Sequence, residues 1–425
     1  MSTRLLQALP LWGSFVTNGL GMFAAGLMIG AFPWFWFTSG GSATTAGFIA
    51  ATFHAGVALG LFSGGLLIDR LGPRPVLLST DFASAAAFGL ACASLVLTQG
   101  NIWPTVGLVA IGLMLGAPGN VAQDSRTPAL ARMADMPLGR ANGSRDLTSQ
   151  LGQVIGPILG VLLVELTGLA GVLLLVSVIL LTVFLVDLVL FPAFRKAEVG
   201  ASHGSGSPFS CILGSAGLKA IIVLAVIVIS ALNAINDLIG PSLALLHEVG
   251  ATGLSAFFGM LGAGLVIAML SYTAVGYRYD GRKLLLGGLA TAAVGLLFIS
   301  VPYVYGYYIG ALVLGLGLGP LWAIVLGTVQ RTVPLTLRAG VIGLLGGAVL
   351  IAQPLASVTV GTLVDTVGPS ITIFGFALLV ASATVIASRN KGLSILVDAK
   401  LQKKRSKQVM EEPEPGAGSV EPSRL

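Results

Sequence analysis

The sequence predicts an all-α membrane protein whose twelve transmembrane helices form two pseudo-symmetric halves of six, and three observations support this prediction. The composition is 55% hydrophobic and only 9% charged, with a mean hydropathy of +0.94, which leaves too little polar surface for a water-soluble domain. Apolar runs of about 20 residues, the length of one bilayer crossing, recur along the chain. Short motifs also recur about 200 residues apart, which indicates an internal repeat.

The predicted spans fall into two groups of six, separated by a Gly/Ser-rich stretch. Each span is assigned from an apolar run, and the 58 glycines suit helices that pack closely in a membrane. The spans begin near Leu11, Thr45, Val76, Ile102, Gly143, Gly168, Ala220, Thr252, Leu284, Tyr307, Ala339 and Ser370. The predicted organisation is a first half (1–193), a cytoplasmic linker (194–216), a second half (217–388) and a cytoplasmic tail (389–425).

The positive charges predict the orientation. If the N-terminus is cytoplasmic, all 23 Lys and Arg fall in cytoplasmic loops, tails or helix ends, as the positive-inside rule requires. The net charge of +6 is then a topology signal and implies no nucleic-acid partner. The basic stretch KLQKKRSK (400–407) is expected to lie against anionic lipid, and the end of the tail to be disordered. The N-terminal apolar segment continues into a full span, so we expect a retained helix rather than a cleaved signal peptide.

The two halves share motifs at equivalent positions. LGPRP (71–75) after the second span corresponds to YDGRK (279–283) after the eighth. LVELTG (163–168) at the end of the fifth span corresponds to LVDTVG (363–368) at the end of the eleventh. Two six-helix repeats suggest a transporter whose substrate site lies between the halves and opens to either side by rocking. We expect it to act as a monomer.

The turn between the second and third spans concentrates glycine and charge. Gly65, Asp69, Arg70, Gly72 and Arg74 match in register the signature of the major facilitator superfamily, which the chain resembles over most of its length. The resemblance implies the major facilitator fold and a cytoplasmic gate at this turn. Glycines would let the second and eleventh spans pack closely there, and the carboxylate of Asp69 can meet the positive end of the eleventh span. The plainer alternative is a solvated basic loop.

A second motif lies in the fifth span. Gly143, Gly152, Gly156, Pro157 and Gly160 are similar to the antiporter motif of drug exporters, although a glycine stripe alone more often indicates tight packing. The stretches AFPWFWF, AQDSRTPALAR and GRANGSRD also resemble the Tap-type multidrug efflux pumps of actinobacteria. The resemblance implies proton-coupled export.

One departure from these exporters concerns proton coupling. The arginine that many of them carry in the fourth span falls at about Gly112 here, so other ionisable groups near the membrane must carry the proton. His54 is expected near the midplane, where an imidazole can titrate near neutral pH, or it is a structural histidine. Asp237 is expected near the outer interface, either as a cavity residue or as a helix cap.

Further candidates for proton coupling lie at the cytoplasmic mouth. Asp124 and Asp146 each match an acid in the Tap-like pumps. They are expected to receive protons or to bind gating arginines such as Arg126, and simple ion pairing is the alternative. Asp81 is expected to be structural because it lies close to the cytoplasmic end of its span.

The sequence also offers candidates for substrate contact on spans that line the cavity in the resembling family. They are Asn18, Phe32, Asn233, Asn236 and Trp322. Trp34 and Trp36 are expected in the aromatic belt at the membrane surface instead. Aromatic faces suit flat lipophilic or cationic molecules. Neutral or cationic cargo is favoured because no Lys or Arg is expected deep in a span.

We therefore expect a secondary active transporter of the bacterial cytoplasmic membrane that exports lipophilic or cationic drugs in exchange for protons. No cofactor or ATP site is expected, because the sequence has no phosphate-binding GxxxxGK[ST] motif. A dedicated exporter of a siderophore, lipid or other metabolite is an alternative, since the motifs indicate mechanism rather than ligand. A membrane-embedded enzyme is a remoter alternative, because the sequence shows no clustered metal ligands or nucleophile with its base.

Overall fold

Long apolar helices make up the protein in a computed structural model that describes residues 3–191, 207–275, 279–390 and 392–393. In lipid, backbone N–H and C=O groups must be bonded within the protein, so apolar runs of this length become helices. The described part of the chain contains no strand. The helices are α1 (Thr3–Thr38), α2 (Ala43–Leu71), α3 (Pro73–Leu97), α4 (Ile102–Met133), α5 (Leu138–Leu190), α6 (Pro208–Gly214), α7 (Ala216–Ala234), α8 (Gly240–Leu246), α9 (Gly250–Val275), α10 (Gly281–Ser300), α11 (Val304–Leu318), α12 (Leu321–Thr332), α13 (Leu335–Val367) and α14 (Pro369–Arg389).

The prediction of twelve crossings is confirmed. In the described ranges, 11 helical segments are long and apolar enough to span a bilayer. One of them, α5, has 53 residues, which is about 80 Å of helix, and it breaks at Gly168. It therefore crosses twice, and its second limb begins where the sixth span was predicted. The seventh crossing joins α7 to α8, and the tenth joins α11 to α12.

Three glycines with a positive φ each connect two helical segments without a further loop residue. Gly72, Gly168 and Gly368 have φ angles of 87°, 68° and 86°, which glycine adopts without steric cost. After Gly72 and Gly368 a proline begins the next helix, a position where its missing N–H costs nothing. An acid precedes each glycine by three positions; these acids are Asp69, Glu165 and Asp365.

The seventh crossing is irregular where Asp237 lies. Ile235–Ile239 form a π-helical turn between α7 and α8. Pro241 accounts for it, because proline has no N–H to bond the carbonyl of Asp237 and its ring would clash with that carbonyl in a regular helix. The carbonyl of Gly240 accepts a hydrogen bond at 3.0 Å from the buried hydroxyl of Tyr307 on α11. Such π-turns occur frequently at functional sites.

The helices pack mainly within two groups. In the first helix group (α1–α5), α1 runs along α5, and α3 lies against α4 and α5. In the second helix group (α7–α14), α10 packs on α11 and α14, and α11 packs on α9. The groups meet through α2 with α13 and α5 with α9. The exact half boundaries stay predictions. Residues 192–206, 391 and 394–425 lie outside the described residues, and they include most of the predicted linker (194–216) and tail (389–425).

The bundle has two ends that differ in charge. We call one end the basic face; it carries the turns at 71–73, 133–138, 279–281 and 332–335. The other end, the opposite face, carries the turns at 38–43, 97–102, 246–250, 300–304 and 367–369. The Lys and Arg residues of the described helices lie at the basic face or within about two helical turns of it.

Candidate functional site

A cavity of about 200 Å³ lies among α1, α2 and α4 of the first helix group, where one residue of the second group reaches it. Its wall comes from α1, α2 and α4 of the first group and from the π-turn of the second. Apolar and aromatic side chains make most of the wall, among them Met28, Ile29, Phe32, Trp36, Ile49 and Phe53. His54 and Asp237 are its two ionisable residues. The cavity thus combines an apolar surface with one base and one acid.

His54 and Asp237 join the two helix groups. His54 Nε2 lies 3.0 Å from Asp237 Oδ2, and the two side chains are 21% and 14% exposed. His54 is about 16 Å from the start of α2 and Asp237 about 14 Å from the end of α8, so both lie at one depth. The structure therefore brings together two residues that the sequence offered separately. The prediction that Asp237 lies near the outer interface is wrong, because the seventh crossing continues beyond it to Leu246.

Asn233 and Asn236 do not share the cavity wall with Asp237. Both are half-buried, and within the described ranges Oδ1 of Asn236 is buried without a hydrogen-bond partner. The prediction placed all three on one face by regular helical spacing. The π-turn adds a residue to one helical turn, so that spacing does not hold here.

Three of the predicted aromatic residues lie near the end of α1. Phe32 lies in the cavity wall, where its ring meets Phe53 edge-to-face at 5.0 Å. Trp36 also lines the cavity, whereas Trp34 is buried and donates its indole N–H to Glu165 at 2.7 Å. Both tryptophans lie near the end of α1 at the opposite face, where Trp36 donates its indole N–H to the carbonyl of Ser42 in the exposed turn before α2, so the belt position stays a prediction.

Two predicted cavity residues lie elsewhere. Asn18 is 2% exposed, and its Nδ2 donates to the carbonyl of Arg145 at 3.2 Å and to Ser149 Oγ. The amide thus holds α1 to α5, and the prediction of substrate contact is wrong in this structure. Trp322 on α12 is 46% exposed and does not belong to the cavity wall. Sequence assigned both residues to helices, but it did not fix which face of each helix points inward.

The glycine- and charge-rich motif at the basic face makes few contacts with other helices. Asp69 and Arg70 are exposed, and Arg74 donates to a backbone carbonyl of α5 at 3.5 Å. A side chain at Gly65 would meet no atom within 4 Å. Gly72 has a different use, because its positive φ makes the turn into α3. The prediction that these glycines bring α2 and α13 together at this face is wrong in this structure.

The two helices meet at the opposite face instead. A Cβ on Gly47 would lie 2.5 Å from a carbonyl oxygen of α13 and 3.2 Å from Cα of Gly361. Nearby, the carboxylate of Asp365 accepts hydrogen bonds from the backbone N–H groups of Ala43 at 2.9 Å and Thr44 at 2.7 Å. The helix groups are therefore joined at the opposite face, and the α2 motif at the basic face is free of α13.

The antiporter-like motif of α5 packs against its own helix group. Its residues are Gly143, Gly152, Gly156, Pro157 and Gly160. A Cβ on Gly156 would lie 2.6 Å from Cα of Gly26, and one on Gly152 would lie 2.6 Å from the carbonyl oxygen of Gly19. Gly143 would meet nothing within 4 Å. The stripe thus lets α1 and α5 touch backbone to backbone, and it contributes no side chain to the cavity.

The two acids predicted at the basic face, Asp124 and Asp146, differ in their contacts. Asp124 is ion-paired with Arg145 across α4 and α5, and Asp146 is exposed. Gly112, the position of the missing arginine, faces α3: a Cβ there would lie 3.1 Å from the ring of Phe88. An arginine at that place has no room without displacing α3.

A buried ion pair lies inside the first helix group. Arg126 Nη1 donates to Asp187 at 3.0 Å, and its guanidinium lies 4.4 Å from the centre of the Phe191 ring. The gating role predicted for Arg126 is wrong, because the side chain is enclosed by its own group; Asp81 is buried close to the pair. Sequence analysis missed Asp187, although an acid inside a long apolar run signals a buried partner.

The other histidines lie away from the cavity. His203 falls outside the described residues, and His247 lies on the turn between α8 and α9. Burial lowers the pKa of His247, whose ring centre is 5.7 Å from that of Tyr307. Among the described residues, no three His, Cys, Asp or Glu side chains cluster as metal ligands do.

Twelve membrane crossings in two helix groups, with a cavity whose wall holds a base from one group and an acid from the other, are the architecture of a multi-pass membrane transporter. The family description "Major Facilitator Superfamily" matches residues 14–346. The chain therefore belongs to the Major Facilitator Superfamily, and the predicted family and fold are confirmed.

Similar proteins are also transporters. The multidrug efflux pump Tap of Mycobacterium tuberculosis (strain ATCC 25618 / H37Rv) is 26% identical over 380 residues, which cover 86% of this chain and 89% of the pump. Tap of Mycolicibacterium fortuitum is 25% identical over 383 residues, covering 85% and 91%. Among solved structures, a point mutant of the nucleoside transporter NupG gives a TM-score of 0.72 at 12% identity, covering 91% of this chain and 99% of that one. At this identity the likeness shows the fold alone, and the Tap relatives indicate a transporter rather than an enzyme.

Proposed function

We propose that this protein is a proton-coupled exporter of lipophilic or cationic compounds in the bacterial cytoplasmic membrane. The observation that carries the proposal is the His54–Asp237 contact between the helix groups, in the wall of an apolar cavity. The Tap relatives, which are named multidrug efflux pumps, support the direction and the cargo class. The Lys and Arg residues at the basic face support a cytoplasmic position for that face and for both termini. The protein acts as a monomer.

A base and an acid from different helix groups can couple a proton to a change of conformation. With His54 protonated, its contact with Asp237 is an ion pair between groups that are mostly shielded from water. With His54 neutral, the contact is a weaker hydrogen bond. The protonation state therefore changes the free energy that holds the two helix groups together at this depth.

The same pair offers a way to exchange cargo for a proton. A cationic substrate that reaches Asp237 competes with protonated His54 for the carboxylate. Because the carboxylate pairs with one cation at a time, a bound substrate takes the place of the protonated imidazole. Among the residues that the structure describes, no Lys or Arg lines the cavity to repel such a cation. Binding of substrate and release of the proton are then one event.

A second candidate function is the export of one small metabolite. The cavity volume of about 200 Å³ favours it, because drug-sized ligands usually occupy about 300–1,000 Å³. Both candidates use the same fold and the same proton-coupling pair. They differ in how many compounds the protein accepts.

Proton leakage from everted membrane vesicles with an acid interior tests the proposal. Compounds are added one by one to vesicles that contain the wild type, Asp237→Asn or His54→Gln. Several lipophilic cations are expected to discharge the wild-type gradient, whereas Asp237→Asn abolishes this discharge. We expect His54→Gln to abolish it as well, because glutamine cannot carry the proton that the substrate displaces.

A matched carboxylate control is Asp135→Asn. Asp135 is exposed on the turn after α4 and has a φ of 51°, a conformation that asparagine also adopts. It should discharge the gradient as the wild type does. Equal discharge by all variants would contradict the coupling role of the pair. Discharge by a single compound from a broad panel would favour the metabolite exporter.

A further inference from the structure

A carboxylate of the second helix group binds the start of a helix in the first. Asp365, close to the end of α13, accepts the backbone N–H groups of Ala43 at 2.9 Å and Thr44 at 2.7 Å. These residues begin α2, and N–H groups in a first helical turn have no partner within their own helix. The positive end of the helix dipole further favours a carboxylate at this place.

The backbone beside this contact leaves no room for side chains. Gly47 on α2 faces Gly361 on α13, and a Cβ on Gly47 would lie 3.2 Å from Cα of Gly361. A Cβ on Gly361 would overlap the carbonyl oxygen of Ala43. The two helices therefore touch backbone to backbone next to Asp365, and any separation at this face must break the carboxylate contact as well.

Asp365 is also connected to the proton-coupling pair. Helix α2 runs from Ala43 to Leu71 without an internal proline, so a fixed start also fixes His54, about 16 Å further along. Helix α13 packs against the π-turn that carries Asp237. Through α2 and α13, Asp365 therefore fixes the positions of His54 and Asp237 relative to each other.

We propose that Asp365 is a positioning residue of the transport cycle. Bound to the start of α2, it keeps the opposite face closed and holds His54 against Asp237, and it must leave this position before the opposite face opens. The proposal rests on the proposed function for its role in proton coupling. Its failure is distinguishable, because the first readout below needs neither substrate nor a proton gradient.

Thiol labelling measures the opening of the opposite face. The background carries Cys92→Ser and Cys211→Ser, and the reporter is Ile49→Cys, a buried cavity-wall position near the start of α2. A charged, membrane-impermeant methanethiosulfonate is added outside intact cells and, in parallel, outside everted vesicles. From the opposite-face side, Asp365→Ala is expected to raise the labelling rate by about tenfold, which corresponds to about 1.4 kcal/mol. Asp365→Asn keeps one acceptor oxygen and should give a smaller increase.

Ala43→Pro tests the same contact without touching Asp365. Proline suits the first helical position, and Ser42 before it already has the extended backbone that proline requires, with φ −74° and ψ 154°. The change removes one N–H donor and should also raise the labelling rate. Combined with Asp365→Ala it should add nothing, because both changes remove one interaction.

Two outcomes would overturn the assignment. One is an unchanged labelling rate in Asp365→Ala protein that elutes as a single species in gel filtration. The other is an additive increase when Ala43→Pro and Asp365→Ala are combined. If Asp365→Ala does not fold, Asp365→Asn and Ala43→Pro decide the question by the same measurement.

Proton release separates a positioning role from a merely structural one. In everted vesicles, Asp365→Ala should lower the maximal rate of substrate-dependent proton release by about tenfold, in proportion to the labelling change, and Asp365→Asn should recover part of it. Faster labelling with unchanged proton release would overturn the positioning role. If the wild type released no protons with any compound, the proposed function would fail, and the labelling rates would still decide whether Asp365 closes the opposite face.

Discussion

The turn after α2 and the turn after α13 have the same backbone but different contacts. Gly72 and Gly368 have φ/ψ angles of 87°/162° and 86°/159°, and each is followed by a proline that begins the next helix. Asp365, three residues before its glycine, binds the start of α2, whereas Asp69 in the equivalent position is exposed. The local sequence determines each turn, but the arrangement of the helix groups determines whether the acid is bound.

The starts of the two partner helices differ in the same way. The start of α2 is capped by the side chain of Ser42 and by Asp365. Within the described residues, the start of α13 at the basic face has no side-chain cap. In an alternating cycle, closure of the basic face would bring Asp69 to that uncapped start, and Asp365 would leave α2. The gate role of Asp69 remains a prediction, and the present structure corresponds to the state in which the opposite face is closed.

The largest expected effect is on the stability of the first helix group. The comparison of the two turns assumes that each helix group moves as a rigid unit. Arg126→Ala leaves Asp187 buried and unpaired inside the first group, and it should lower the free energy of unfolding by about 3–5 kcal/mol. Arg145→Ala is the control, because its partner Asp124 is 60% exposed, and it should cost no more than about 1 kcal/mol. Denaturant unfolding in detergent micelles measures both. Equal losses would mean that the buried pair does not hold the first group together.

A smaller effect, on the stability of the closed opposite face, is expected from a substitution where α2 meets α13. Gly47→Val places a side chain against the backbone of α13, which should cost about 1–3 kcal/mol of the closed state and raise labelling of the Ile49→Cys reporter by roughly fivefold to a hundredfold. Gly65→Ala at the other end of α2 meets nothing within 4 Å and should change the rate by less than about twofold. A larger effect from Gly65→Ala would contradict the assignment of the closed face.

The smallest effect is expected from Asp69→Ala. If Asp69 binds the start of α13 in the other state, its loss removes about 0.3–1 kcal/mol from that state and favours the present one. Labelling of the reporter from the opposite face should then fall by roughly twofold to fivefold. Asp365→Ala changes the same rate in the other direction. A rise in both variants would show that the two turns are not counterparts.

Sequence predicted the helices well because hydropathy and glycine content depend on local composition. It also selected His54 and Asp237, since ionisable residues inside apolar runs are rare and require a reason. It did not predict that they pair. That contact depends on the approach of two helices distant in sequence and on the π-turn that Pro241 causes.

Other site residues were misplaced for a related reason. Asn18 is polar enough to suggest a ligand, but its hydrogen-bond partner, a carbonyl of α5, became visible only once α1 and α5 were packed together. Asp365 was noted only within a repeated motif, because its partners are backbone N–H groups that leave no signal in the sequence.

A charge swap tests the central claim most directly, which is that His54 and Asp237 act as one proton-coupled contact between the helix groups. Substrate-dependent proton release is measured in everted vesicles for the wild type, His54→Asp, Asp237→His and the double variant. Each single change places two like groups together and should abolish release, whereas the double variant restores an acid–base pair and should recover about a tenth of the wild-type rate or more. A folded double variant as inactive as the single ones, or single variants with wild-type release, would contradict the claim.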